Sequence, residues 1–243
     1  MRRRKERSFG QSVALAAMGA VLLATLVVAA LLARVGGPLT SSVRTPTGLG
    51  SSLRLPAGHR ALKVGVVGDS LAYGYYASDP LKAWPAQLRT ALQRYGAVSE
   101  EVDAGPGETA GEALVRAVPT GDDLVVVELG TNDVRRGLGA SFAATYGSLL
   151  RRVVQESPRA VLLCLEPWGP QAQAAAYSAT IDRLCRAAGG TAVPISGIYS
   201  APGNRANAGV PFFDGTSRDD FHPDDHGHAA IAHLLVSMIH VTR

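Results

Sequence analysis

The chain has only two cysteines, Cys164 and Cys185, in 243 residues, and no His/Cys cluster falls at a structural-zinc spacing. No structural zinc site is therefore expected. The two cysteines leave two readings open: a disulfide, if the domain sits in an oxidising compartment, or a pair of buried free thiols. Charge is sparse too, at 18% of residues, and aromatics are 6%. The formal net charge of +4 is confined to the N-terminus, where Arg2, Arg3, Arg4, Lys5 and Arg7 face only Glu6. The rest of the chain is electrically balanced, which removes the general charge excess of a nucleic-acid binder. A Gly-x-Gly-x-x-Gly loop is also missing, which argues against a dinucleotide site. There is no internal repeat.

One long uninterrupted apolar run is present. Val13–Ala33 holds 21 residues without a charge. As a helix it would measure about 30 Å, enough to cross a bilayer core. With the basic cluster of residues 1–12 staying in the cytoplasm, the remainder is expected outside. The run exceeds the roughly 7–15 apolar residues usual in a cleaved signal. An uncleaved signal anchor is the favoured reading. The rival is a secretory signal cut near Val28-Ala29-Ala30, which would release the domain. Residues 34–60 are broken by Gly36-Gly37-Pro38, Thr45-Pro46-Thr47-Gly48 and Gly50-Ser51-Ser52, and read as a flexible linker.

From residue 61 to 243 strand and helix patterns alternate. Strands are expected over Leu62–Val67, Val98–Asp103, Asp123–Leu129, Ala160–Leu165 and Thr191–Ile195. Helices are expected over Lys82–Tyr95, Glu108–Val118, Phe142–Glu156, Gln171–Ala188 and Asp224–Val241. This alternation predicts an α/β fold, a parallel sheet with helices on both faces.

Four places stand out on that map. Gly68-Asp69-Ser70-Leu71 follows the first strand. Gly105-Pro106-Gly107-Glu108-Thr109 follows the second. Gly130-Thr131-Asn132-Asp133 follows the third and most apolar. Asp219-Asp220-Phe221-His222-Pro223 precedes the last helix. The first three share the carboxyl edge of a parallel sheet, where ligands bind in open α/β folds. Together they hold the parts that acyl transfer needs. A serine hydroxyl requires a base, which His222 could supply, and a carboxylate such as Asp219 to hold the imidazole tautomer. An oxyanion requires donors, available from the Ser70 N–H, the Gly107 N–H and the Asn132 amide. Taken singly, each is also an ordinary cap, turn or surface residue. The Gly-x-Ser-x-Gly elbow of α/β-hydrolases is absent.

Those four blocks, in that order, resemble the SGNH (GDSL-type) hydrolase superfamily. Trp84-Pro85 after the first block and His222-Pro223 before Gly227-His228-Ala229-Ala230 agree with it. The resemblance covers residues 61–243. It implies a three-layer α/β/α, flavodoxin-like sandwich and metal-free ester hydrolysis or acyl transfer. It implies Ser70 as nucleophile, His222 as base and Asp219 as its orienter, with Ser70, Gly107 and Asn132 forming the oxyanion hole. The second block departs from the family pattern, since Asp103 precedes a shortened Ala104-Gly105-Pro106. Gly105 therefore competes with Gly107, which the following Glu108-Thr109 favours. Asp219 is preferred to Asp220 by its spacing from His222.

The expected activity is an extracytoplasmic serine esterase acting on a lipid, a small acyl ester or an acetylated glycan. An acyltransferase of the same fold is the alternative, and an inactive binding module the remote one. A monomer is expected, with no nucleic-acid partner and with the membrane reached through the N-terminal helix. Tyr73, Tyr75, Tyr76 and Trp168 either line the cleft or pack the core, and Trp84 is expected in the core. The long loop 197–217 is read either as a lid or as a packed surface loop.

Overall fold

A strand buried on both faces must be apolar at every position, and the middle strands of this chain are. In a computed structural model, the structure describes residues 51–54, 60–116, 118–212 and 217–242. The apolar run read as residues 13–33 and its basic flank lie outside the described residues. Strand β1 is Ser51–Arg54, β2 Leu62–Gly68, β3 Val98–Ala104, β4 Leu124–Glu128, β5 Val161–Leu165, β6 Thr191–Val193 and β7 Ile239–Thr242. The helices are α1 Ser70–Tyr73, α2 Trp84–Leu92, α3 Ala110–Leu114, α4 Thr131–Arg136, α5 Gly139–Glu156, α6 Gln171–Ala187, α7 Ser196–Ser200 and α8 Asp225–Met238.

Five strands form one parallel sheet in the order β3-β2-β4-β5-β6. The register sets Val66 beside Val126 and Val126 beside Leu163. Strand periodicity then sends alternate residues to opposite faces. Val64, Val66, Leu124, Val126, Leu163 and Leu165 pack on one side with Trp84, Leu88, Ile231 and Leu235 from α2 and α8. Val67, Val125, Val127, Leu162 and Cys164 pack on the other with Ala110, Phe142, Leu149 and Ile181 from α3, α5 and α6. Two apolar layers thus cover the sheet. Trp84 is fully buried, as expected. β3 lies at the sheet edge, which explains how its Ser99-Glu100-Glu101 is tolerated in a strand. The order of strand addition reverses between β2 and β4, since β3 is added on one side of β2 and β4 on the other, and the turns leaving β2 and β4 carry Ser70 and Asn132. That is the switch point where α/β sheets place ligands.

Cys164 on β5 and Cys185 on α6 are joined by a disulfide with a Cα–Cα distance of 6.2 Å. The bridge ties the sheet to its covering helix.

Three boundaries differ from the sequence reading. Residues 51–54, placed in the linker, form β1, which pairs in parallel with β7, Ser51 opposite Ile239. Leu53 is buried in the first apolar layer, so β1 belongs to the compact unit of the sheet. The closing helix stops at Met238 instead of Val241. Ile239-His240-Val241-Thr242 alternates in the manner of a strand, and β1 offers it a partner. The helix read as Glu108–Val118 is only α3. It begins at Thr109, which makes a capping box with Glu112. Helices α4 and α7 went unread because each is shorter than two turns.

Candidate active site

The first element of the site is a tight strand-to-helix turn. Gly68 ends β2 where a Cβ would overlap that of Ala72 and lie 3.0 Å from the Glu128 carbonyl. Without a side chain there, α1 closes on the sheet. Asp69 caps α1 by accepting the Leu71 N–H at 3.0 Å, and Ser70 becomes the first helical residue, 4% exposed. Its backbone N–H has no acceptor among the described residues.

The acid–base loop comes to the same point from the far end of the chain. Ser70 Oγ lies 3.0 Å from His222 Nε2, and His222 Nδ1 lies 2.7 Å from Asp219 Oδ2. Asp219 Oδ1 also accepts the backbone N–H groups of His222 at 2.8 Å and Phe221 at 3.0 Å. An ionised carboxylate only accepts, so Asp219 keeps the imidazole proton on Nδ1 and leaves Nε2 to accept the Ser70 hydroxyl. Burial works against the Asp219 charge, but those N–H groups and the imidazole outweigh it and hold the carboxyl below its ordinary range. Burial pushes His222 below 6.5, with the Arg135 charge adding to it and Asp219 opposing. Asp220 forms no hydrogen bond with His222, whose carboxylate partner is Asp219. The Asp220 carbonyl accepts from Arg205 at 3.0 Å.

The three expected oxyanion donors stand in different states. Gly107 sits at φ 82, a left-handed conformation that suits glycine, and its carbonyl accepts from Arg136 Nη2 at 2.7 Å. Its N–H has no acceptor among the described residues. Gly105 gives its N–H to the Gly68 carbonyl at 3.3 Å, continuing the β2–β3 pairing. Of the two glycines, Gly107 is therefore the one with an open donor. Asn132 Nδ2 donates to Asp69 Oδ2 at 2.9 Å and to the Glu108 carbonyl at 2.9 Å. It braces the first and second blocks against each other, and both its hydrogens are engaged.

Residues outside the four blocks support this centre, and of these only Glu128 was passed over in the sequence. Glu128, buried at the end of β4, accepts the N–H groups of Asp69 at 3.3 Å and Ala72 at 3.2 Å through Oε2. Burial and the Asp69 charge drive its carboxyl well above the ordinary range. A lone carboxylate ending an apolar strand was the available signal. Trp168 Nε1 donates to the Phe221 carbonyl at 2.6 Å, and its backbone N–H to Thr131 Oγ1 at 3.0 Å. The rings of Tyr75 and Tyr76 stand 4.9 and 5.5 Å from His222. Tyr73 is 62% exposed. In the loop 197–217, Ala206 and Phe212 pack against Tyr76, and residues 213–216 lie outside the described residues. Among the described residues, no cluster of His, Cys, Asp and Glu is arranged to hold a metal ion.

Similar sequences and folds occur among known proteins. An arylesterase of Vibrio mimicus is 32% identical over 106 residues, which cover 42% of this chain. The match spans about half, 52%, of that relative's length. The crystal structure of TesA superposes with a TM-score of 0.58 at 22% identity, covering 72% of this chain and 97% of TesA. The psychrotrophic esterase EstA from Pseudoalteromonas sp. gives 0.58 at 16%, covering 72% and 95%. At these identities both show the fold alone. AlinE4, an SGNH-hydrolase family esterase, gives 0.51 at 26%, covering 64% and 89%. The profile of the GDSL-like lipase/acylhydrolase family matches residues 66–230, a span that holds Ser70, Gly107, Asn132, Asp219 and His222. The chain belongs to the GDSL-like lipase/acylhydrolase family of serine hydrolases.

Proposed function

We propose that the chain is an extracytoplasmic esterase that cleaves carboxylic esters through an acyl-enzyme on Ser70. The observation that carries this reading is the continuous hydrogen-bonded path Ser70 Oγ–His222 Nε2 and His222 Nδ1–Asp219. Ser70 Oγ attacks the ester carbonyl carbon while His222 Nε2 takes its proton. The negative charge formed on the carbonyl oxygen is met by the open N–H groups of Ser70 and Gly107, with Asn132 as third donor when it shares a hydrogen. Collapse expels the alcohol, which takes the proton back from His222. Water, activated by the same imidazole, then frees the acid and restores Ser70.

Location outside the cytoplasm is supported by the basic cluster followed by Val13–Ala33, and by the Cys164–Cys185 bridge. The substrate is proposed at the level of a small acyl, lipid or acetylated-glycan ester. A two-domain esterase of similar fold is active on acetylated mannans, and a glycan ester is accordingly kept among the proposed substrates.

The test is labelling of the full chain with a fluorophosphonate, beside Ser70→Ala. Label that disappears in the variant supports an activated serine at Ser70. A folded wild-type chain that takes no label overturns the reading.

A further inference from the structure

Among the described residues, Tyr76 is the one non-glycine residue with a positive φ, at 64°. A bulky side chain adopts this conformation only where its surroundings enforce it, and such residues gather at functional sites. Two contacts hold the backbone here. The Tyr75 N–H donates to the Ser70 carbonyl at 2.9 Å, and the Tyr75 carbonyl accepts from His228 Nε2 at 3.0 Å. The turn is thus fastened to the nucleophile helix on one side and to α8 on the other.

The geometry points to Tyr76 as a positioning residue that holds the acid–base loop over Ser70 by bridging Ser217 and Asp219 with its hydroxyl. That oxygen donates to the Ser217 carbonyl at 3.1 Å and accepts the Asp219 N–H at 3.2 Å. The ring meets His222 and Phe212 edge-on, with centroids at 5.5 and 5.0 Å. The other supports of the loop act further along it. Trp168 holds the Phe221 carbonyl, Arg205 the Asp220 carbonyl and the Ala206 N–H the His222 carbonyl. Tyr76 alone among these anchors the backbone of Asp219, the residue whose placement orients the imidazole. Because the bridge starts six residues after Ser70, it couples nucleophile and base through one side chain. This inference rests on Ser70, His222 and Asp219 acting as proposed above.

Tyr76→Phe in the full chain keeps the ring and removes both hydrogen bonds. With p-nitrophenyl butyrate, kcat is expected to fall about tenfold with KM within about twofold, as for a misplaced catalytic group. In an Asp219→Ala background the same substitution should change kcat by less than about twofold, because its partner's role is already lost. An unchanged kcat in Tyr76→Phe, or an equal loss in both backgrounds, overturns the inference. A second measurement needs neither the variant nor activity. In the wild-type chain the Asp219 amide should exchange with solvent at least about tenfold more slowly than the exposed Asp220 amide. Equal exchange overturns the bridge even if Ser70 takes the fluorophosphonate. Slow exchange in a chain that takes no label sustains the bridge while the esterase reading falls.

Discussion

At Ser70 the hydroxyl faces an imidazole that burial holds below its ordinary pKa of 6.5. Only the neutral imidazole can accept the serine proton. Activity should therefore rise with pH, and the acid limb of kcat/KM should have its midpoint below 6.5. A midpoint above 6.5 in the rate profile of a p-nitrophenyl ester would contradict the burial of this base. Asn132 has two roles by geometry, brace and prospective oxyanion donor. Asn132→Ala should lower kcat by roughly 10²–10³ while the fold persists, measured by steady-state kinetics beside circular dichroism. A drop in KM-type binding with kcat unchanged would leave only the brace.

At the level of elements, α8 carries a second histidine with a different task. His228 is fully buried, and its Nε2–H donates to the Tyr75 carbonyl at 3.0 Å while Nδ1 accepts the Trp84 N–H at 3.4 Å. Both ring nitrogens are used by the neutral form. Burial outweighs the Tyr75 carbonyl and lowers its pKa from 6.5 to about 4. The unfolded chain takes up this proton first. Stability from His228 is therefore complete above about pH 6.5 and is lost as pH falls toward about 4, by up to about 3 kcal/mol. Denaturant titrations at pH 7 and pH 4.5 should show this loss. In His228→Gln the pH 7 stability should drop and the slope between the two values should shrink. An unchanged slope would assign the acid sensitivity to other groups.

On the scale of the whole molecule, β1 and β7 join the two ends of the described domain. β1 brings Leu53 into the layer built on Leu235 and Ile239. Leu53 is 1% exposed, so Leu53→Ala should cost about 2–5 kcal/mol in chemical denaturation. A chain lacking residues 1–54 should likewise melt below one lacking residues 1–48. Equal melting temperatures would show that β1 adds nothing to the domain.

The sequence alone determined the elements whose signal is local. Apolar runs such as Leu124–Val127 are strands because nothing in them tolerates water, and glycine-rich turns after them mark the sheet edge. Ser70, Asn132, Asp219 and His222 could be named as candidates because their short blocks follow one another in the order of the family they resemble. The tertiary structure decided what depends on distant partners. β1 has no strand signal in Ser51-Ser52-Leu53-Arg54 and exists through pairing with residues nearly two hundred positions away. Whether Cys164 met Cys185 depended on how α6 lies on β5. The choice of Gly107 over Gly105 as the open donor turned on one hydrogen bond from Gly105 to Gly68. Glu128 and Tyr76 acquire their roles from groups 59 and 143 positions away, across contacts that no local pattern encodes. Local chemistry sets what a residue can do, and packing alone sets which partner it does it with.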